Sequence, residues 1–88
     1  MIKTVIISIN NYDYVLSDGK NNYNLNFEFY DLDNKLNIGD IIYIPKKLLV
    51  NNSVYTYGKI NENKKENTDE YIKIINNNKE IYLQRYYG

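Results

Sequence analysis

Apolar and polar residues alternate most regularly between positions 23 and 31, in Tyr23-Asn24-Leu25-Asn26-Phe27-Glu28-Phe29-Tyr30-Asp31. Tyr23, Leu25, Phe27 and Phe29 share one side of an extended chain; Asn24, Asn26, Glu28 and Tyr30 share the other. A period of two marks a strand with one face on a core and one in solvent. Shorter runs rich in β-branched and aromatic residues at 2–9, 12–16, 41–44, 54–60, 71–75 and 80–87 predict further strands. Asparagine clusters (Asn10-Asn11, Asn21-Asn22, Asn51-Asn52, Asn76-Asn77-Asn78) separate these runs, together with Asp18-Gly19 and Gly39-Asp40. Asn accepts a left-handed backbone and bonds its own main chain, so these positions read as turns.

Asn10-Asn11 admits a two-residue hairpin loop or a bulge that bends one long strand. The bent strand is expected, because Asp18-Gly19 already supplies a turn before the next strand. Ile41 to Ile44 is apolar on both faces and is expected to be covered on both sides or to lie at a tight barrel closure. Pro45 suits a first helical position and opens about one turn of helix. Residues 61–69, rich in Asn, Lys and Glu, read as a polar loop, and 71–75 with 80–87 as a closing hairpin. No long helical periodicity occurs. The expectation is an all-β chain forming one small β-barrel domain over residues 1–88.

Leu36-x-x-Gly39-Asp40 followed by an apolar strand resembles the barrel corner of OB-fold and SH3-like small barrels. Glycine permits the tight backbone there and the aspartate caps the turn. The order of elements also resembles an OB-fold. That likeness implies a five- to six-stranded Greek-key barrel with about one helical turn after the third strand, and an oligonucleotide or oligosaccharide ligand. An SH3-like barrel is the alternative.

Composition narrows the chemistry. The 88 residues include no Cys and no His, which removes thiolate metal sites, the commonest zinc ligand and the usual general base. The four glycines are isolated, so no phosphate-cradling loop is present. Asp31-Leu32-Asp33-Asn34 begins like a calcium loop, but Lys35, Leu36 and Ile42 occupy its later ligand and glycine positions. Asn51-Asn52-Ser53 has the form of a glycosylation acceptor and is read as a turn. The expectation is a protein that is not an enzyme and needs no cofactor or metal. The short apolar stretch near the N-terminus is no signal peptide, and no run reaches membrane-spanning length, so a cytoplasmic protein without membrane contact is expected.

Eleven Lys plus Arg balance eleven Asp plus Glu, leaving no global field toward nucleic acid. A local patch is still predicted. In Val54-Tyr55-Thr56-Tyr57-Gly58-Lys59-Ile60, alternation puts Tyr55, Tyr57 and Lys59 on one face. Near the C-terminus Ile81 and Leu83 are expected inward, with Tyr82, Gln84 and Tyr86 outward. Lys73 joins from the neighbouring strand, and Lys64 and Lys65 from the polar loop. Rings that stack on bases beside ammonium groups that meet phosphates are the ingredients of single-stranded nucleic-acid binding. The eleven tyrosines have a plainer source, since Ile, Asn, Lys and Tyr all have A/T-rich codons. The same face therefore also suits a protein partner, and an edge strand suits a homodimer.

Overall fold

The computed structural model describes residues 1–26, 36–55, 60–61 and 71–84. Eight strands lie within them: β1 (Ile2–Asn10), β2 (Asp13–Ser17), β3 (Asn22–Asn26), β4 (Ile41–Ile44), β5 (Ser53–Tyr55), β6 (Ile60–Asn61), β7 (Tyr71–Asn76) and β8 (Lys79–Gln84). A single 3-10 turn (Lys46–Leu48) follows β4, with Pro45 at its N-cap position rather than its first helical residue. All strands join one sheet in the order β5-β3-β2-β1-β4-β7-β8-β6, and β3–β5 is its parallel pair.

The strand count exceeds the expected five or six for two local reasons. The first strand is a hairpin and not one bent strand: β1 and β2 pair antiparallel from Val5↔Ser17 to Asn10↔Asp13, and Asn11 turns the chain at φ 55°. The run expected over 54–60 contributes both β5 and β6. A bulge does occur, but inside β1. Ile6 pairs with Leu16 and Ser8 with Val15, so Ile7 is the extra residue. One added residue reverses the alternation. Thr4 and Ile6 therefore point inward before the bulge, and Ile9 packs on the core after it.

The asparagine turns follow from backbone chemistry. Asn51 and Asn52 sit at φ 52° and 59°, Asn77 and Asn78 at 50° and 62°. Two consecutive left-handed residues form the tight turn whose twist matches a hairpin. At the first, Val50 and Ser53 exchange both backbone hydrogen bonds, at 2.9 and 3.0 Å. The Asp18 turn is closed by its side chain, which accepts from the backbone N–H of Asn21 at 2.7 Å, that of Lys20 at 2.8 Å and the Tyr23 hydroxyl at 2.9 Å. Those donors, the Asn21 and Lys20 amides foremost, hold the Asp18 carboxyl below the usual carboxylate range.

Leu36-Asn37-Ile38-Gly39-Asp40 is a sheet corner. Asp40 N–H donates to the Asn37 carbonyl at 3.0 Å, and the Asp40 carboxylate accepts from Asn37 N–H at 2.8 Å. Gly39 takes φ 98°, a conformation side chains rarely adopt. The corner joins β1 as well: Ile6 N–H donates to the Asp40 carbonyl and Gly39 N–H to the Ile6 carbonyl. From there β4 enters between β1 and β7. Its Ile42 and Ile44 are buried, whereas Ile41 and Tyr43 stay half-exposed, so the strand is covered on one face and not on both.

The inner face collects one or two apolar side chains from most strands, including Ile6, Leu16, Leu25, Ile42, Ile44, Val54, Ile72, Ile74, Ile81 and Leu83. Tyr23 and Leu25 are buried and Asn24 exposed, as the alternation predicts; residues 27–35 lie outside the described residues. A flat sheet of eight strands would be about 10 Å thick. The molecule measures 30 × 26 × 24 Å, so the sheet is strongly curled around this core. The result is an all-β, barrel-like fold.

Candidate functional site

Of the predicted binding residues, Tyr57, Lys59, Lys64, Lys65 and Tyr86 lie outside the described residues, and for Tyr55 only its place in β5 is described. Lys73 and Tyr82 are directly opposite each other on β7 and β8. Ile81 and Leu83 point into the core as expected, and Tyr82 occupies the other face. It is nevertheless only 4% exposed, which corrects the expectation of an open ring. Strand β8 runs between β7 and β6, with Lys73 and Asn61 as the register partners of Tyr82, so neighbouring strands flank the ring on both sides. The Tyr82 hydroxyl donates to Glu80 Oε2 at 2.8 Å, and Glu80 Oε1 lies 3.1 Å from Lys73 Nζ. Lys73 Nζ also sits 5.4 Å from the centroid of the Tyr43 ring, within cation–π range.

Tyr43 is the residue that sequence reasoning missed. Its run is apolar at all its other positions and so singles out no outward ring, yet parity relative to buried Ile42 and Ile44 puts Tyr43 on the outer face. Register then aligns Lys3, Tyr43, Lys73 and Tyr82 in one row across β1, β4, β7 and β8. Exposed Lys46 and Lys47 follow within a few residues of Tyr43. Among the described residues, cations thus concentrate at one end of the sheet although the chain is neutral. Asp18 is also at that end, its carboxylate taken up by its own turn.

A second row runs parallel to the first, two residues along each strand: Ser17, Val5, Ile41, Ile75 and Glu80. Val5 is 37% exposed and the neighbouring Ile7 46%, and Ile38 at the corner is 67% exposed. Lys3, Val5, Ile7, Ser17, Asp18 and Gly19 line a shallow, open depression of about 410 Å³. The outer face is therefore a basic and aromatic row beside an apolar one.

Among the described residues no group of three or more His, Cys, Asp or Glu side chains is placed to hold a metal ion, and no helix is long and apolar enough to cross a membrane. Comparisons with protein-family models, curated proteins and solved structures find no match to this chain. What stands is the architecture: a small barrel-like β-sheet protein with an amphipathic outer face.

The Tyr43–Lys73–Glu80–Tyr82 cluster has a pH signature. Burial, then the bond to Glu80, raises the Tyr82 phenol above its ordinary value, and the bond to Glu80 raises Lys73. At high pH the unfolded chain releases its phenol proton before the folded one does. The stability from Lys73 is complete below the ordinary lysine value and is lost as pH rises through its elevated folded value. Both effects destabilise the fold above about pH 10. Tyr14 and Tyr23 are raised too, by burial and by the bond to Asp18 respectively, and act in the same direction. The midpoint of thermal unfolding is expected to drop between about pH 9 and 11, and to drop less in Tyr82→Phe. An equal drop in the variant would remove Tyr82 from the account.

Proposed function

We propose that this protein is a non-enzymatic binding module that takes single-stranded nucleic acid weakly on its Tyr/Lys outer face, in the manner of OB-like barrels. The observation that supports this most directly is the alignment of Lys3, Tyr43 and Lys73 in one row, with Lys46 and Lys47 at the same end. Tyr43 is the stacking ring and Lys3, Lys46 and Lys47 are the phosphate contacts. Tyr55, Tyr57, Lys59, Lys64, Lys65 and Tyr86 are assigned to the same ligand on sequence alone. Tyr82 acts as a support beneath Lys73, because its ring is buried. The neutral chain limits counterion release to this patch, so affinity is low and falls with salt.

The test is an amide-resolved NMR titration with a mixed-sequence single-stranded oligonucleotide at low and then physiological salt. Shifts are expected around Lys3, Tyr43, Lys46 and Lys73. Tyr43→Ala is expected to weaken binding about tenfold, the value of one stacked base at roughly 1–3 kcal/mol, with the fold intact. Lys3→Gln is expected to reduce the salt slope by about one. A flat titration at low salt from a well-dispersed spectrum would refute the reading. A protein ligand is the second reading, favoured by the exposed Val5, Ile7 and Ile38, since contiguous exposed apolar residues mark interaction surfaces.

A further inference from the structure

We propose that two copies of this chain associate through the outer face of the β1–β2 hairpin, as a two-fold dimer held by an apolar centre and reciprocal Lys3–Asp13 ion pairs. On that face β1 presents Lys3, Val5, Ile7 and Ser8, while β2 presents Ser17, Val15 and Asp13; Tyr14, Leu16, Thr4 and Ile6 all point the other way. Reading along the hairpin, a cation stands at one end, apolar Val5, Ile7 and Val15 in the middle, and an acid at the other end. Asp13 pairs in register with Asn10, so it lies roughly 20 Å from Lys3 along the strands; its carboxylate is exposed and accepts one hydrogen bond, from Asn26 Nδ2 to Oδ1.

That order is self-complementary. In a two-fold contact residue i of one copy meets residue j of the other and the reverse. Turning one hairpin against another therefore brings each Lys3 to the second copy's Asp13 and lays the apolar centres together. Among the described residues Lys46 and Lys47 lie at the Lys3 end, where the Asp18 carboxylate is taken up by its own turn; Asp40 stands level with Ile6, between the two ends. Because the chain is neutral, no net repulsion opposes the approach of two copies. The bulge at Ile7 contributes by twisting the strand and leaving two successive residues, Ile7 and Ser8, exposed. A second copy fits these observations better than an unrelated partner, because the face supplies both halves of its own charge pattern. The dimer covers Lys3, so it competes with an oligonucleotide for this end of the face.

Sedimentation of the full chain over a range from about 5 µM to 1 mM tests the proposal, with a dissociation constant expected near 10–100 µM. Average mass is expected to rise from the monomer toward twice that value. Lys3→Glu and Asp13→Lys are each expected to weaken the dimer about tenfold or more, and the double variant to regain most of that loss. Ile7→Ser, on an exposed position that leaves folding unaffected, is expected to hold the protein monomeric. A monomer at every concentration overturns the proposal. So does a dimer that ignores Lys3→Glu and Ile7→Ser, which would put the contact at a sheet edge, and so does a double variant no tighter than the single ones. Oligonucleotide titration of the Ile7→Ser monomer examines the nucleic-acid reading by itself, so either idea can fail alone.

Discussion

Ile74→Ala is expected to cost about 3–4 kcal/mol of stability, close to the whole margin of a domain this small. Ile74 is fully buried in the middle of β7, and the register sets it between Ile42 on β4 and Ile81 on β8, both also buried. Thr4 extends this inner row onto β1, where its hydroxyl donates to the Ile42 carbonyl at 2.8 Å. Truncation removes three carbons from the centre of a four-strand row. Backbone pairing on both sides prevents those strands from closing the gap, so the cavity penalty adds to the lost burial. Urea unfolding is expected to show a large fall in midpoint with little change in slope. Ile38→Ala, at an exposed position on the corner, is expected to change stability by less than about 0.5 kcal/mol. Similar midpoints for the two variants would mean that the inner row does not carry the core.

Asp40→Ala is the second large effect, at about 2–4 kcal/mol. Its carboxylate closes the Asn37–Asp40 turn and also accepts from Asn76 Nδ2 at 2.6 Å, tying the corner to the far end of β7. Asn76 is 2% exposed. Losing the carboxylate removes both the closure of the turn and this tie between the corner and the end of β7, two charge-assisted hydrogen bonds at once. Asp40→Asn retains one acceptor oxygen and is expected to recover part of the loss. Amide exchange should show the damage locally, at Gly39 and Ile6, whose backbone bonds join the corner to β1. Unchanged protection at those amides, or equal stability of the Asn and Ala variants, would argue against the corner as a structural lock.

Both predictions rest on features that were partly legible in the sequence. The run Leu36-Asn37-Ile38-Gly39-Asp40 announced a tight turn, because few residues tolerate φ near 98° and an aspartate at that spacing reaches back to the Asn37 amide. The partner of Asp40 was not legible. Asn76 stands thirty-six positions away, and its cluster signals a turn whatever its first member bonds. The asparagine pairs show the same division. Their left-handed φ values are local properties of Asn, yet whether Asn10-Asn11 bends one strand or reverses it depended on pairing between β1 and β2. Even the bulge was displaced, to Ile7, because the inward positions of both strands had to meet the same core.

The candidate face divides in a parallel way. Alternation placed Ile81 and Leu83 inward and Tyr82 on the other side, since period two is a property of an extended chain. It gave no account of how open that side is. Tyr82 is buried, with its hydroxyl on Glu80, and Tyr43 becomes part of the row because β4 pairs with β1 on one edge and β7 on the other. Composition alone excluded histidine and cysteine chemistry, and local patterning indicated most of the strands and turns and, within an uninterrupted strand such as β8, the side each residue takes. Those are consequences of backbone geometry and side-chain type over a few residues. Which strands are neighbours, and so which lysine meets which tyrosine in a chain of zero net charge, was decided only when the sheet curled around its core. Cross-strand register is set by contacts between residues far apart in the chain, and no short stretch contains them.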